Sequence, residues 1–438
     1  MPTRWKIPKP LRVALYVLEC LLALALAVLI VLSSGWFQHW LEHRVITGLE
    51  DLTGGRVELA RFRFRPWVFE VTLQNLAIHG SEPAGDLPLV SARNVVAHLS
   101  PEQFLLRHLR LRSLDVDDLR VHLRTGPDGA TNLPGPRQQL SAERSLVDLM
   151  DLSIGRLTVS HSAIVWNNQP QPFELDTREL AVLLRMTRGR YTGTLSSSAT
   201  TIRSARGSLP PVTFNSRFEL TRAGLVVSSF AWQAPGMMGR ASFTVRPLAT
   251  PEAYASFQVS ADLPALNRIF LVRELPAGSL QIEGQAIYRH GELYAQGRAR
   301  ARQVAVHSPT FSSERLDATA DYALEKGQLN LTNLIVSAWG GTAQGTLQAN
   351  LGDSPASFRL KAQVHQVRLE DALRSTAPGP LLAAELHLAA AIDGTVNATW
   401  SGRLERLKTT FDLTFHGPAG APRNQLPVSG YARGTLGE

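Results

Sequence analysis

The chain has 438 residues and a single cysteine, Cys20. One cysteine can build neither a disulfide framework nor a cysteine-ligated metal centre. It also makes a poor lipoprotein signal, because Glu19 stands where a small residue should precede a lipid-modified cysteine. Runs of basic residues are missing too, although the formal net charge is +8. The arginines stand singly between apolar residues, and the one basic–aromatic alternation is Arg61-Phe62-Arg63-Phe64-Arg65. Nucleic acid is therefore not expected as a partner, and anionic lipid head groups suit the charge better.

Catalytic signatures are equally scarce. No Gly-x-Ser-x-Gly elbow occurs. Gly340-Gly341 and Gly345 fall between strand-like segments and lack the Lys-Ser/Thr of a phosphate loop. His39-Trp40-Leu41-Glu42-His43 has the spacing of an inverted zinc-protease motif, but it needs a downstream acidic ligand and a cleft. Asp115, Asp117 and Asp118 lack EF-hand spacing and read as a solvated turn. The 12 histidines are dispersed. The expectation is a non-enzyme with no cofactor and no metal.

One long apolar run is present. Residues 1–10 form a basic tail with Arg4, Lys6 and Lys9. Residues 11–36 follow, carried by Leu11, Val13, Leu21, Leu22, Leu24, Leu26, Val28, Leu29, Ile30 and Trp36. A helix of that length, at about 1.5 Å per residue, exceeds the roughly 30 Å hydrocarbon core. Positive charge before the span predicts a cytoplasmic N-terminus at the cell inner membrane and a periplasmic bulk. Ser33-Ser34-Gly35 offers a competing reading as a signal-peptide cleavage site. The length of the run and the belt of Trp36, Phe37 and Trp40 favour retention. Glu19 is costly inside a span, and its nearness to the basic flank gives it a structural reading. Residues 37–53 place Phe37, Leu41, Val45 and Leu49 at helical spacing, with Trp40 beside them. That predicts an amphipathic helix lying at the membrane interface.

After Gly54-Gly55 the apolar period shortens to two. Leu119, Val121 and Leu123 alternate with Arg120 and His122. Val212, Phe214, Phe218 and Leu220 alternate with Thr213, Asn215, Arg217 and Glu219. Leu316, Tyr322 and Leu324 belong to a third such segment, and Phe358, Leu360 and Val364 to a fourth. The prediction is a mainly β chain: an elongated, curled antiparallel sheet with a few short helices near 100–108, 141–150, 263–270 and 369–375. Four β-modules are expected, at 54–140, 141–211, 212–315 and 316–438. Tyr254-Ala255-Ser256-Phe257 echoes Pro355-Ala356-Ser357-Phe358, and the echo of Trp232 to Gly239 in Trp339 to Gly345 extends the repeat. An apolar face of this kind either lines a trough or is filled by the chain's own side chains, and periodicity alone leaves both open.

Leu49-Glu50-Asp51-Leu52-Thr53-Gly54-Gly55, Leu73-Gln74-Asn75-Leu76-Ala77-Ile78 and Asp128-Gly129-Ala130-Thr131-Asn132-Leu133-Pro134 follow a membrane anchor. In this arrangement the chain resembles the AsmA/TamB family of envelope proteins. Trp339-Gly340-Gly341-Thr342 is similar to that family's recurrent Gly-Gly strand turn. The resemblance implies a β-taco groove on an inner-membrane anchor, with phospholipid as its occupant, moving lipid between inner and outer membranes. The alternative it implies is a scaffold that meets outer-membrane assembly components. TamB-like members run longer and end in a characteristic domain, so this chain reads as an abbreviated member.

Overall fold

The computed structural model describes residues 19, 22–23, 26, 29–83, 85–100, 111–134, 154–170, 172–204, 207–247, 252–270, 276–307, 312–352, 355–375, 387–402, 407–420 and 425–437. The chain divides into two compact units, Met1–Thr200 and Thr201–Glu438. Both are mainly β.

The first unit opens with α1 (Gly35–Thr53). Ser34 caps it: its hydroxyl accepts from the Phe37 N–H at 3.3 Å. Gly54 ends it at φ 71°, in the left-handed region that glycine enters without strain. There follow β1 (Arg56–Arg65), β2 (Glu70–His79), β3 (Val90–Leu99), β4 (Leu111–Thr125), β5 (Arg156–Asn168), β6 (Phe173–Thr187) and β7 (Arg190–Ser204), the last carrying the boundary. β1 to β4 form an antiparallel meander. β4 and β5 instead pair in parallel, Leu114 opposite Leu157 through Thr125 opposite Asn168, which departs from the antiparallel pattern the turn signals predicted. A parallel pair needs a long crossover, and the segment from Gly126 to Gly155 provides it. The expected helices at 100–108 and 141–150 fall almost wholly outside the described residues.

The core of this unit lies between α1 and the sheet. Val57, Phe64, Val71, Leu73, Leu76 and Ile78 are buried, with Phe37, Leu41, Val45 and Leu49 packed against them. The Phe37 and Phe64 rings lie 6.0 Å apart. The apolar side of α1 therefore meets protein, not bilayer, which revises the interfacial role expected for Phe37, Leu41, Val45 and Leu49. Trp36 and Trp40 point away, 73% and 52% exposed.

The second unit contains β8 (Gly207–Ser208), β9 (Val212–Thr221), β10 (Gly224–Ala234), β11 (Met237–Arg246), β12 (Glu252–Asp262), α2 (Leu263–Phe270), β13 (Ala277–Arg289) and β14 (Glu292–His307). It continues with β15 (Ser312–Glu325), β16 (Gln328–Ala338), β17 (Gly341–Asn350), β18 (Ser357–Arg368), α3 (Leu369–Arg374), β19 (Leu388–Ala389), β20 (Ala391–Ser401), β21 (Lys408–His416), β22 (Leu426–Pro427) and β23 (Gly430–Leu436). Each strand from β9 to β18 pairs antiparallel with the next, then β18 with β20, β20 with β21 and β21 with β23. The repeat is visible in element order: four strands and a helix from 212 to 270, then four strands and a helix from 312 to 374. Its two tryptophans are not equivalent, however. Trp232 lies within β10, whereas Trp339 occupies the β16–β17 turn and donates from its indole N–H to the Ser375 hydroxyl at 2.6 Å.

Residues at left-handed φ punctuate the strands, among them Asn75, Asp118, His161, Glu179, Gln303, Asn333 and Gln366. Most coincide with register shifts, as β-bulges do, and polar side chains satisfy the freed donors. The Gln303 N–H donates to Asp317 at 2.8 Å, the Gln366 N–H to Asp393 at 3.1 Å and the Leu119 N–H to Ser162 at 3.1 Å. Asp115, Asp117 and Asp118 lie inside β4, not in the turn expected of them.

One further expectation needs correction, and another falls largely outside the described residues. The sheet is not strongly curled. Among the described residues no helix is long and apolar enough to cross a membrane. Leu11, Val13, Leu21, Leu24 and Val28 of the expected span lie outside the described residues. Leu22, Leu26 and Ile30 are helical and 63%, 58% and 64% exposed. Trp36 belongs to α1.

Candidate functional site

Directly opposed residues in antiparallel strands share a face. Following the pairs across the second unit, Phe214 faces Trp232, Trp232 faces Gly239, Gly239 faces Val259, Val259 faces Ile282, Ile282 faces Ala299 and Ala299 faces Ala320. Further along, Leu324, Leu329, Ala349, Phe358 and Trp400 form a second row. Period-two spacing places Val212, Phe218 and Leu220 with the first row, and Leu316, Tyr322, Leu360 and Val364 with the same face. The register thus brings every expected lining residue of this unit onto one side.

That side is poorly covered. Each of those ten residues is half-buried, and none is fully buried. The buried apolar residues of the unit include small ones such as Ala320, Ala349 and Ala398, and on the same side Val227, Val304, Val367 and Ile392 are buried as well. α2 covers one corner, where Ala234, Met237, Ala261 and Ala265 pack with Val212 and Trp232 against them. At the other end α3 meets β18 and β19, and α2 and α3 are the only helices of this unit among the described residues. Leu119, Val121 and Leu123, also expected to line the trough, belong to the first unit. They are half-buried there, and Leu119 packs on the α1 core.

Large rings pair on the face. Phe358 and Trp400 stack with centroids 5.0 Å apart and 8° between planes. Phe214 and Phe230 approach to 5.9 Å. The Trp232 indole lies across Gly239, where any side chain would collide with it. Gly239→Ala is accordingly expected to cost about 1–3 kcal/mol through overpacking, measured by urea unfolding, with Trp232 fluorescence shifted as the ring moves. Trp232, Phe230 and Trp400 were missed as lining residues in the sequence. β10 carries a bulge that breaks its alternation, and Gly394 interrupts the period leading to Trp400.

The best-defined polar cluster lies in the first unit. Asp117 accepts from Ser160 at 2.9 Å and from His161 Nδ1 at 2.8 Å, across the parallel β4–β5 pair. The hydrogen bond from His161 holds the Asp117 carboxyl below its ordinary range, with Ser160 adding to it. The same bond, with the carboxylate's charge, raises the His161 imidazole. A raised imidazole contributes stability below its ordinary value and loses it as pH climbs through the raised one. A depressed carboxyl contributes above its ordinary value and loses it as pH falls through the lowered one. The clip is therefore strongest between the ordinary carboxylate and imidazole ranges. An NMR titration is expected to find His161 above a normal histidine and Asp117→Asn to return it. Both groups are exposed and serve strand pairing. His39 and Glu42 lie 3.4 Å apart on α1, and among the described residues no set of three or more His, Cys, Asp or Glu could hold a metal ion.

No protein-family model and no curated protein matches this sequence.

Proposed function

We propose that this chain is a periplasmic protein of the AsmA/TamB kind, anchored by a single span in the inner membrane. In this reading the apolar face of residues 212–415 takes up phospholipid acyl chains and passes them between inner and outer membranes, without catalysis. The observation that carries the reading is the half-exposed apolar face of β9 to β21, where α2 and α3 are the only helices among the described residues. A continuous apolar surface of that size marks a binding site for something apolar. Burying an acyl chain there is worth about 0.8 kcal/mol per methylene, so a tail binds without a reactive group. The exposed Leu22, Leu26 and Ile30, at four-residue spacing, support a lipid-facing helix ahead of α1. The exposure of Trp36 and Trp40 supports a position at head-group level, as indoles prefer. The face is proposed as open and shallow, which fits a sheet without strong curl.

The experiment is extraction of lipid from the full chain purified in a mild detergent, followed by mass spectrometry. Phospholipid bound in stoichiometric amount, and retained after detergent exchange, is the expected result. Lipid-free protein that takes up no fluorescent phospholipid would end the proposal. Crosslinks from the β23 edge to an outer-membrane assembly component, with no lipid on the face, would favour the scaffold alternative through strand addition.

A further inference from the structure

The opposite, polar face of the second unit carries a groove of about 660 Å³. That size is typical of ligand sites. On β14 the groove takes Arg298 and Arg300 but not Ala299 between them, which sets its mouth on the polar side, while Phe214, Trp232, Gly239, Val259 and Ile282 of the apolar row also contribute to its lining. Arg240 on β11, Gln258 on β12, Glu283 on β13 and Arg298 on β14 stand opposite one another in a single cross-strand row. Gln281 and Arg300 form the adjacent row. Three strand steps of about 4.8 Å put Arg240 roughly 14 Å from Arg298, with amide and carboxylate groups between them.

The charges are incompletely matched. Arg298 meets Asp321 at 3.1 Å, outside the groove lining, and Arg300 meets Glu283 at only 3.7 Å. Arg240 has no ion pair among the described residues. Three guanidinium groups therefore face one carboxylate across the lining. Guanidinium groups present paired donors suited to phosphate or sulfate oxygens. Amide side chains both donate and accept, as sugar hydroxyls require.

We propose that this groove binds a short oligosaccharide carrying an anionic group at each end, held by Arg240 at one end and by Arg298 and Arg300 at the other. Gln258 and Gln281 contact the hydroxyls between. The residues named as its contacts, Arg240, Gln258, Gln281, Arg298 and Arg300, stand on the other side of the strands from Phe214 and Val259.

The test is calorimetric titration of the full chain in detergent with trehalose bearing a phosphate on each 6-carbon. Unmodified trehalose and inorganic phosphate serve as comparators. Saturable binding of the bisphosphate, far weaker binding of both comparators and a steep loss with added salt are expected. Arg240→Ala and Arg298→Ala should each weaken it about tenfold or more, with circular dichroism unchanged. Lys361→Ala, on an exposed residue outside the groove, should leave it intact. No binding, equal binding of either comparator, or indifference of folded Arg240→Ala and Arg298→Ala would overturn the proposal.

Discussion

Phe358→Asp is expected to strip co-purifying phospholipid from this protein, by tenfold or more, while the protein stays folded. Phe358 is half-exposed and stacked on Trp400, at the centre of a row that runs from Leu324 to Trp400. A carboxylate there would have to be desolvated beneath an acyl chain, and an unpaired charge in an apolar contact is far costlier than the loss of a few methylenes. The fold should tolerate the change, because the new side chain can reach water on a half-exposed face. Arg359→Asp, one residue along and on the exposed opposite side, is the matched control and should retain lipid. Mass spectrometry of extracted lipid gives the first readout, and the urea midpoint gives the second. Unchanged lipid content in folded Phe358→Asp would refute the lipid-carrying face. Global unfolding of that variant would instead reveal a packed core.

Leu73→Ala should destabilise the first unit by about 2–4 kcal/mol, whereas Leu360→Ala should cost the second unit less than about 1.5 kcal/mol. Leu73 is only 7% exposed, within the cluster under α1, so truncation leaves a cavity lined by its neighbours. Leu360 is half-exposed on the apolar face, so water or lipid fills the space its side chain leaves. Chemical denaturation that follows each unit's transition separates the two costs. An equal penalty at Leu360 would mean that the face is filled by its own side chains, and the lipid proposal would fall with it.

Much of this architecture was legible from residue patterns. Alternation at 212–220, 316–324 and 358–364 placed β9, β15 and β18, since the period of a strand is a local property of the backbone. The helices at 263–270 and 369–374 were legible for the same reason, as was the spacing between the two copies of the strand-and-helix block. The parallel β4–β5 pair was not legible, because alternation is the same in both pairing directions. The aspartates of β4 read as a turn because three acids in four residues suit a solvated loop, whereas Asp118 takes a left-handed φ within the strand. α1 was misjudged differently: its apolar spacing is correct, but spacing does not say whether the partner is bilayer or protein. Phe64 and Val71 reach it only through the β1–β2 hairpin.

The sequence by itself determined that the chain is built from repeated one-sided strands, and which side of each is apolar. It determined too that the N-terminus carries one long apolar run, because hydropathy needs no partner to be read. Only the tertiary structure decided what covers each apolar side. α1 closes the face of β1 to β3 into a core, while from β9 to β21 α2 reaches one corner and leaves Phe214, Phe358 and Trp400 half in solvent. Coverage depends on residues distant in the chain and on bulges that steer each strand, so it is settled when the elements pack rather than when they form.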